Sequence, residues 1–315
     1  MAPRPIIIDC DPGQDDAVAL FLAMSSPDEL DILGITTVAG NVPLALTQRN
    51  ARMMCDIAGR TAIPVFAGCE RPIVREAITA EYIHGNTGID GVDVFEPETP
   101  LQEKHAVEFI VETLLTADEH SVTLVPTGPL SNIATAIEKE PAILQHVREI
   151  VVMGGAMREG GNRSPSAEFN VLADPQAADI VFSCGRPITV MGLDVTHQVL
   201  STRERVARIR ALGNAVAEAT AGMLSFFHRY DTGKYGSEGA PLHDPCTIAW
   251  LLDPGLFQTR ACNLSVETES ELTMGHTAVD FWHVTDRPRN VHWTYAVDAN
   301  GFYELLNDRL ARFGR

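Results

Sequence analysis

The chain is short of positive charge. Its 315 residues carry 24 Lys and Arg against 42 Asp and Glu, a net charge of −18. A nucleic-acid polymer or an anionic membrane needs a basic surface, so neither is expected as the main partner. A small neutral ligand stays open. Long apolar runs are also missing: no stretch approaches the roughly 20 apolar residues that span a bilayer. The start, MAPRPIIIDCDPG, has one Arg and a very short apolar run, with no signal-peptide core and no small-residue cleavage site. The six cysteines are widely spaced and form no CxxC pair. In a chain this long they read as reduced core residues, not a disulfide framework. A cytoplasmic protein is the expectation. With 45% hydrophobic and 21% charged residues, a disordered or fibrous chain is excluded. No internal repeat, low-complexity segment or linker divides the sequence, so one domain over 1–315 is expected.

What is present is an alternation of short apolar runs and helical stretches. Strands are expected at 5–8, 31–38, 64–67, 122–125, 150–153 and 187–191. Helices are expected at 15–24, 44–58, 106–116 and 175–183, with another opening at Ser131 as its cap. Strand, polar or glycine turn, helix, repeated many times, predicts an α/β fold: an open, mostly parallel, doubly wound sheet. The second half reads as extra helices at 203–212, 216–230 and 246–252, with strands at 262–266 and 291–297. A polar, glycine-containing stretch at 231–239 is expected to form a lid. In open α/β sheets the ligand crevice lies beyond the carboxyl ends of the strands. Those ends carry Asp9, Asp11, Asn41, Thr127, Met153 and Asp194.

The strongest local signal is Asp9-Cys10-Asp11-Pro12-Gly13-Gln14-Asp15-Asp16, four carboxylates in eight residues at the end of a buried strand. Acids this close cannot all stay ionised without a compensating charge. A hard cation is the simplest compensation, and oxygen-only ligands suit Ca²⁺ or Mg²⁺. Helix capping by Asp15 and Asp16 explains part of the cluster, but not Asp9 and Asp11 on the strand side. A second signal is His243-Asp244 between two prolines. Asp244 either caps the following helix or adds a carboxylate to a cation. His243 titrates near neutrality and is a candidate to protonate a leaving group. Glu168-Phe169-Asn170, with Asn162 upstream, offers hydrogen bonds suited to a polyol. His84, in a glycine-flanked loop, reads equally as a surface residue or a ligand contact, and Met153 alone reads as core.

Together these residues resemble the signature of the nucleoside hydrolases. The resemblance runs from Asp9-x-Asp11-Pro12-Gly13-x-Asp15-Asp16 through Ala39-Gly40-Asn41, His84-Gly85, Pro126-Thr127-Gly128-Pro129, Met153-Gly154-Gly155-Ala156, Glu168-Phe169-Asn170 and His243-Asp244-Pro245. The stretch Gly239-Ala240-Pro241-Leu242-His243-Asp244-Pro245-Cys246 is most similar to the pyrimidine-preferring ribonucleoside hydrolases. The resemblance implies one Ca²⁺ held by Asp11, Asp16, Asp244 and the Thr127 backbone carbonyl. Asp11 would act as general base on the attacking water, and His243 would activate the leaving base. Asp15, Asn41 and Asn170 would hold the ribose hydroxyls. Met153, Asn162 and Glu168 would surround the 5′-hydroxymethyl, with Phe169 beside the sugar and His84 near the base. The expected activity is hydrolysis of uridine or cytidine, with inosine as a further substrate, to free base and ribose in nucleoside salvage. The expected assembly is a homodimer or homotetramer. The sequence departs from the pattern at Gly160-Gly161, which adds a residue, and at Arg163. Two other readings compete: a Mg²⁺-dependent DxD phosphatase, and a non-catalytic nucleoside- or ribose-binding relative.

Overall fold

A computed structural model describes residues 2–235 and 238–314, without the side chains of 228–235. Seven strands alternate with helices through the first two thirds of the chain. They are β1 (Arg4–Cys10), β2 (Leu30–Thr37), β3 (Val65–Ala67), β4 (Leu101–Gln102), β5 (Val122–Pro126), β6 (Val147–Met153) and β7 (Ile188–Met191). Two short strands, β8 (Leu200–Thr202) and β9 (Gly239–Pro241), pair with each other. Then come β10 (Phe257–Val266), β11 (Thr277–Asp280) and β12 (Val291–Val297). The main sheet has ten strands in the order β11-β10-β12-β7-β6-β5-β1-β2-β3-β4. Every pair from β12 to β4 is parallel, and only β12–β10 and β10–β11 run antiparallel. The single-domain, mostly parallel α/β fold expected from the alternation is therefore the fold observed. The short strands β4, β8, β9 and β11 carry too few residues for a periodic pattern to register.

The order of the strands positions the site. From β1 the chain winds outward through β2, β3 and β4, then returns to β1's other edge with β5 and winds the opposite way. The crevice between the ends of β1 and β5 is the switch point, where such folds bind ligands. Strand β1 is buried on both faces, as a central parallel strand must be. Ile6, Ile8 and Cys10 pack into one core and Ile7 into the core on the opposite face. The helix Gln14–Met24 that follows has all eleven residues buried, so its first turn delivers Asp15 and Asp16 into the protein interior.

Several local expectations shift. Ser131 does not cap its helix: Leu130 occupies that position, and the Ser131 hydroxyl donates to Asp174 Oδ2 at 2.5 Å. The helix expected to stop at 230 continues as Ala215–Tyr235. The lid expected at 231–239 falls across residues 236–237 and side chains that lie outside the described residues. Among the described residues no helix is long and apolar enough to cross a membrane.

Candidate active site

A cleft opens at the carboxyl ends of the strands. Eleven of the sequence-predicted site residues line it: Asp15, Asn41, His84, Thr127, Met153, Asn162, Glu168, Phe169, Asn170, His243 and Asp244. Ala80, Ile83 and Phe227 complete the lining. Asp11 and Asp16 are buried behind it. Residues up to 233 positions apart in sequence thus share one site, as Asp11 and Asp244 do.

The floor is acidic. Carboxylate oxygens of Asp15, Asp16 and Asp244 all lie within 4.8 Å of one another. Asp244 begins the helix Pro245–Leu252 but makes no side-chain cap, so its carboxylate is free to face the other acids. Asp16 does reach back to cap its helix, accepting from the Gly13 N–H at 3.0 Å. It also accepts from the Thr127 hydroxyl at 2.8 Å and the Asn41 amide at 3.2 Å. Asp11 Oδ2 accepts the Asn41 backbone N–H at 2.7 Å, while its Oδ1 is buried with no partner. Gly40 and Gly128 leave room for that carboxylate: a Cβ at either would lie 2.1 Å or 2.4 Å from one of its oxygens. Burial first, then the neighbouring carboxylates, pushes Asp11 and Asp244 well above the usual carboxylate range and Asp15 up to about 7. Burial also raises Asp16. No Lys or Arg lines the cleft among the described residues.

An unpartnered buried carboxylate oxygen beside three further carboxylates is costly unless a cation shares the corner. The donor set is all oxygen, which fits a hard divalent ion better than zinc or copper. The closest geometric trio includes Asp15 where the resemblance had placed Asp11 among the ligands. Asp9 is not part of this corner. It lies on β1's other face, where Oδ1 accepts from the Thr36 hydroxyl at 2.6 Å and the Asn132 amide at 2.8 Å. Asp194, another strand-end acid, holds the backbone N–H groups of Met157 and Arg158, both at 2.7 Å.

The polar side of the cleft is built from self-satisfied groups. Glu168 caps the helix Phe169–Ala173, accepting from Asn170 N–H, and it also accepts from Gly155 N–H at 3.0 Å. Its burial raises it to about 7 against these hydrogen bonds. Asn170 donates to the Thr127 carbonyl at 2.7 Å and to the Met153 carbonyl at 3.2 Å. The Thr127 carbonyl has a second lone pair left for a ligand. Asn162 Oδ1 accepts the Phe169 N–H at 2.9 Å, tying the glycine-rich loop to the same helix. The Arg163 guanidinium lies 5.7 Å from the Tyr82 ring and does not line the cleft.

Two histidines form the remaining wall. Burial pushes both His84 and His243 down to about 3, so both are neutral imidazoles near neutrality. His243 Nδ1 lies 2.7 Å from the Thr196 hydroxyl. With that hydroxyl as donor, the ring hydrogen sits on Nε2. His84 stacks on Phe227, ring centroids 5.5 Å apart, and its Nδ1 lies 2.6 Å from Gln14 Oε1. His84 is therefore no surface residue. Gln14 and Thr196 are residues that sequence reasoning missed, whereas Phe227 opens the 227–238 region expected to bear on the choice of base. Gln14 had one available signal, its place inside the acid motif, but Thr196 lies in ordinary helical sequence.

A buried acidic floor that could hold a metal ion lies beneath polar groups at the switch point of a parallel sheet. Known proteins specify it further. The family described as inosine-uridine preferring nucleoside hydrolase matches residues 6–304. The pyrimidine-specific ribonucleoside hydrolase RihA of Photobacterium profundum is 50% identical over 311 residues, covering 98% of this chain and 99% of that protein. A plant nucleoside hydrolase, PpNRh1, superimposes with a TM-score of 0.92 at 31% identity, over 98% of this chain and 99% of that one. A purine-preferring ribonucleoside hydrolase from Gardnerella vaginalis gives 0.91 at 33% identity over the same shares. The chain belongs to the inosine-uridine preferring nucleoside hydrolase family.

Proposed function

We propose that the protein hydrolyses the N-glycosidic bond of pyrimidine ribonucleosides such as uridine and cytidine, with Ca²⁺ on its acidic floor, and that it serves nucleoside salvage. The observation that carries this reading is the buried carboxylate corner containing the unpartnered Oδ1 of Asp11. In this reading Asp11, Asp16, Asp244 and the Thr127 carbonyl hold the cation. When bound, the cation would supply a Lewis acid for water and for the sugar hydroxyls. Asp11 takes the proton of the attacking water. Asp15, Asn41 and Asn170 orient the ribose hydroxyls, and Met153, Asn162 and Glu168 close around the 5′-hydroxymethyl. Breaking the bond builds positive charge on the sugar ring, as in other glycosyl cleavages. The fixed carboxylates and the face of Phe169 stabilise that charge without reorganising. His243 gives a hydrogen bond to the departing base through Nε2, and His84 stands on the base side.

The pyrimidine preference rests on the 50% identical relative; the fold alone leaves the base open, because the purine-preferring neighbour shares it. A phosphatase reading lacks support, since no described Lys or Arg lines the cleft to receive a phosphate. The protein is proposed to work in the cytoplasm as a homodimer or homotetramer. The test is release of reducing sugar from uridine, cytidine, inosine and 2′-deoxyuridine. Uridine should be cleaved, and 2′-deoxyuridine at least about a hundredfold less efficiently, because a site built around a hydroxyl rejects its absence. Equal rates on both would remove the ribose-diol role of the floor. Binding of uridine without ribose release would favour a non-catalytic relative.

A further inference from the structure

Gln14 belongs to the acid motif but makes no hydrogen bond to the acid floor. It opens the helix Gln14–Met24 and is fully buried. Its amide spans to the wall of the cleft. Nε2 donates to the backbone carbonyl of His84 at 2.9 Å and to that of Asp90 at 3.3 Å. Oε1 lies 2.6 Å from His84 Nδ1.

These partners fix the chemistry of the ring. A side-chain amide's two ends look alike, so its neighbours must assign them. Two carbonyl oxygens can only accept, hence the end facing them is the NH₂ group. The other end is a carbonyl oxygen, which also only accepts, so His84 Nδ1 must carry a hydrogen. A neutral imidazole has one ring hydrogen. Nε2 of His84 is therefore a bare lone pair. Gly13 protects the arrangement, because a Cβ there would lie 2.5 Å from His84 Nδ1. Phe227, stacked on the ring, helps to hold its plane.

We propose that Gln14 is a positioning residue that locks His84 as the Nδ1–H tautomer, so that the base-side wall presents a hydrogen-bond acceptor. The inference rests on the nucleoside hydrolase reading of the cleft. A wall of this kind favours bases that offer it an N–H, such as the imide of uracil or the exocyclic amine of cytosine. It also removes His84 as a proton donor to the leaving base and leaves that role to other groups.

The experiment uses the full-length protein labelled with nitrogen-15 histidine. Long-range proton–nitrogen spectra near neutral pH report which ring nitrogen of each histidine is protonated, and His84→Asn assigns the His84 signals. The expected result is a protonated Nδ1 and an unprotonated Nε2 in the wild type, with that signature lost in Gln14→Met. On the kinetic side, Gln14→Met should lose about tenfold more kcat/KM on uridine than on a nitrophenyl riboside, whose leaving group offers no N–H. A protonated Nε2 at His84 in the wild type overturns the proposal, as do equal losses on the two substrates. If Gln14→Met does not fold, the wild-type spectrum still decides. A wild type that releases no ribose from any nucleoside would refute the hydrolase reading while leaving the spectral test intact.

Discussion

The floor and the base-side wall of the cleft lie close together but are built on different principles. The floor concentrates carboxylates that would be expensive to bury anywhere else: Asp11, Asp15, Asp16 and Asp244 are all at most 5% exposed. Its groups lean on one another and on backbone N–H groups, and one oxygen of Asp11 is left without a partner. The wall uses common residues, His84, His243 and Phe227, whose chemistry is set by side chains behind them, Gln14 and Thr196. In the proposed function the floor serves sugar and cation, and the wall serves the base. Changes to the floor should reduce turnover of every substrate. Changes to the wall should redistribute preference among bases.

The largest expected effect comes from Asp11→Asn. The shape is kept and the proton acceptor is lost, so kcat should fall by about 10²–10⁴ on every nucleoside, the usual range for a general base. In chelator-stripped protein, thermal stability should hold or rise, because a raised, buried carboxylate is replaced by a neutral group. A base-dependent loss would blur the division between floor and wall. Gly40→Ala comes next. Its Cβ would lie 2.1 Å from Asp11 Oδ2, which must then move. Turnover should drop by about a hundredfold for uridine and inosine alike, a misplacement effect without any change in the chemistry of the site.

A third test uses the substrate. Uridine 5′-monophosphate would bring its phosphate toward Glu168 and into a cleft that no described Lys or Arg lines. It should be cleaved about tenfold or more less efficiently than uridine, mainly through a raised KM. The smallest effect, and the one that sharpens the comparison, is His243→Ala. It should lower kcat on inosine about tenfold more than on uridine. Equal losses would move His243 from the wall to the shared machinery.

The same division governs what could be read from the sequence. The parallel sheet was legible because β1, β2 and β5 end in turn residues and are each followed by a helix of 9 to 14 residues. The floor was legible because Asp11, Asp15 and Asp16 crowd into one turn, and such crowding has few physical explanations. Asp9 belonged to the same crowd, but it still lies within β1, where Thr36 and Asn132 take its carboxylate, whereas Asp11 follows the end of the strand at Cys10. For Asp244 the sequence left cap and ligand open; its helix has no side-chain cap, and its carboxylate lies within 4.8 Å of those of Asp15 and Asp16. The wall was not legible. Gln14 and His84 meet across 70 residues, and Thr196 and His243 across 47. Nothing in the local pattern of either partner announces the other. Ser131 was assigned to its own helix because a serine there usually caps, yet a tertiary partner, Asp174, takes its hydroxyl.

The central claim is that the acidic floor works as a cation site whose occupant brings ribose and water together. The most direct measurement is ribose release from uridine by protein stripped with a calcium-selective chelator, before and after Ca²⁺ is restored. The account predicts that stripping removes at least about 99% of the activity, that Ca²⁺ restores it in the wild type, and that restoration fails in Asp11→Asn, as expected where a cation supplies several kcal/mol of catalysis. Full activity in verified metal-free protein would contradict it.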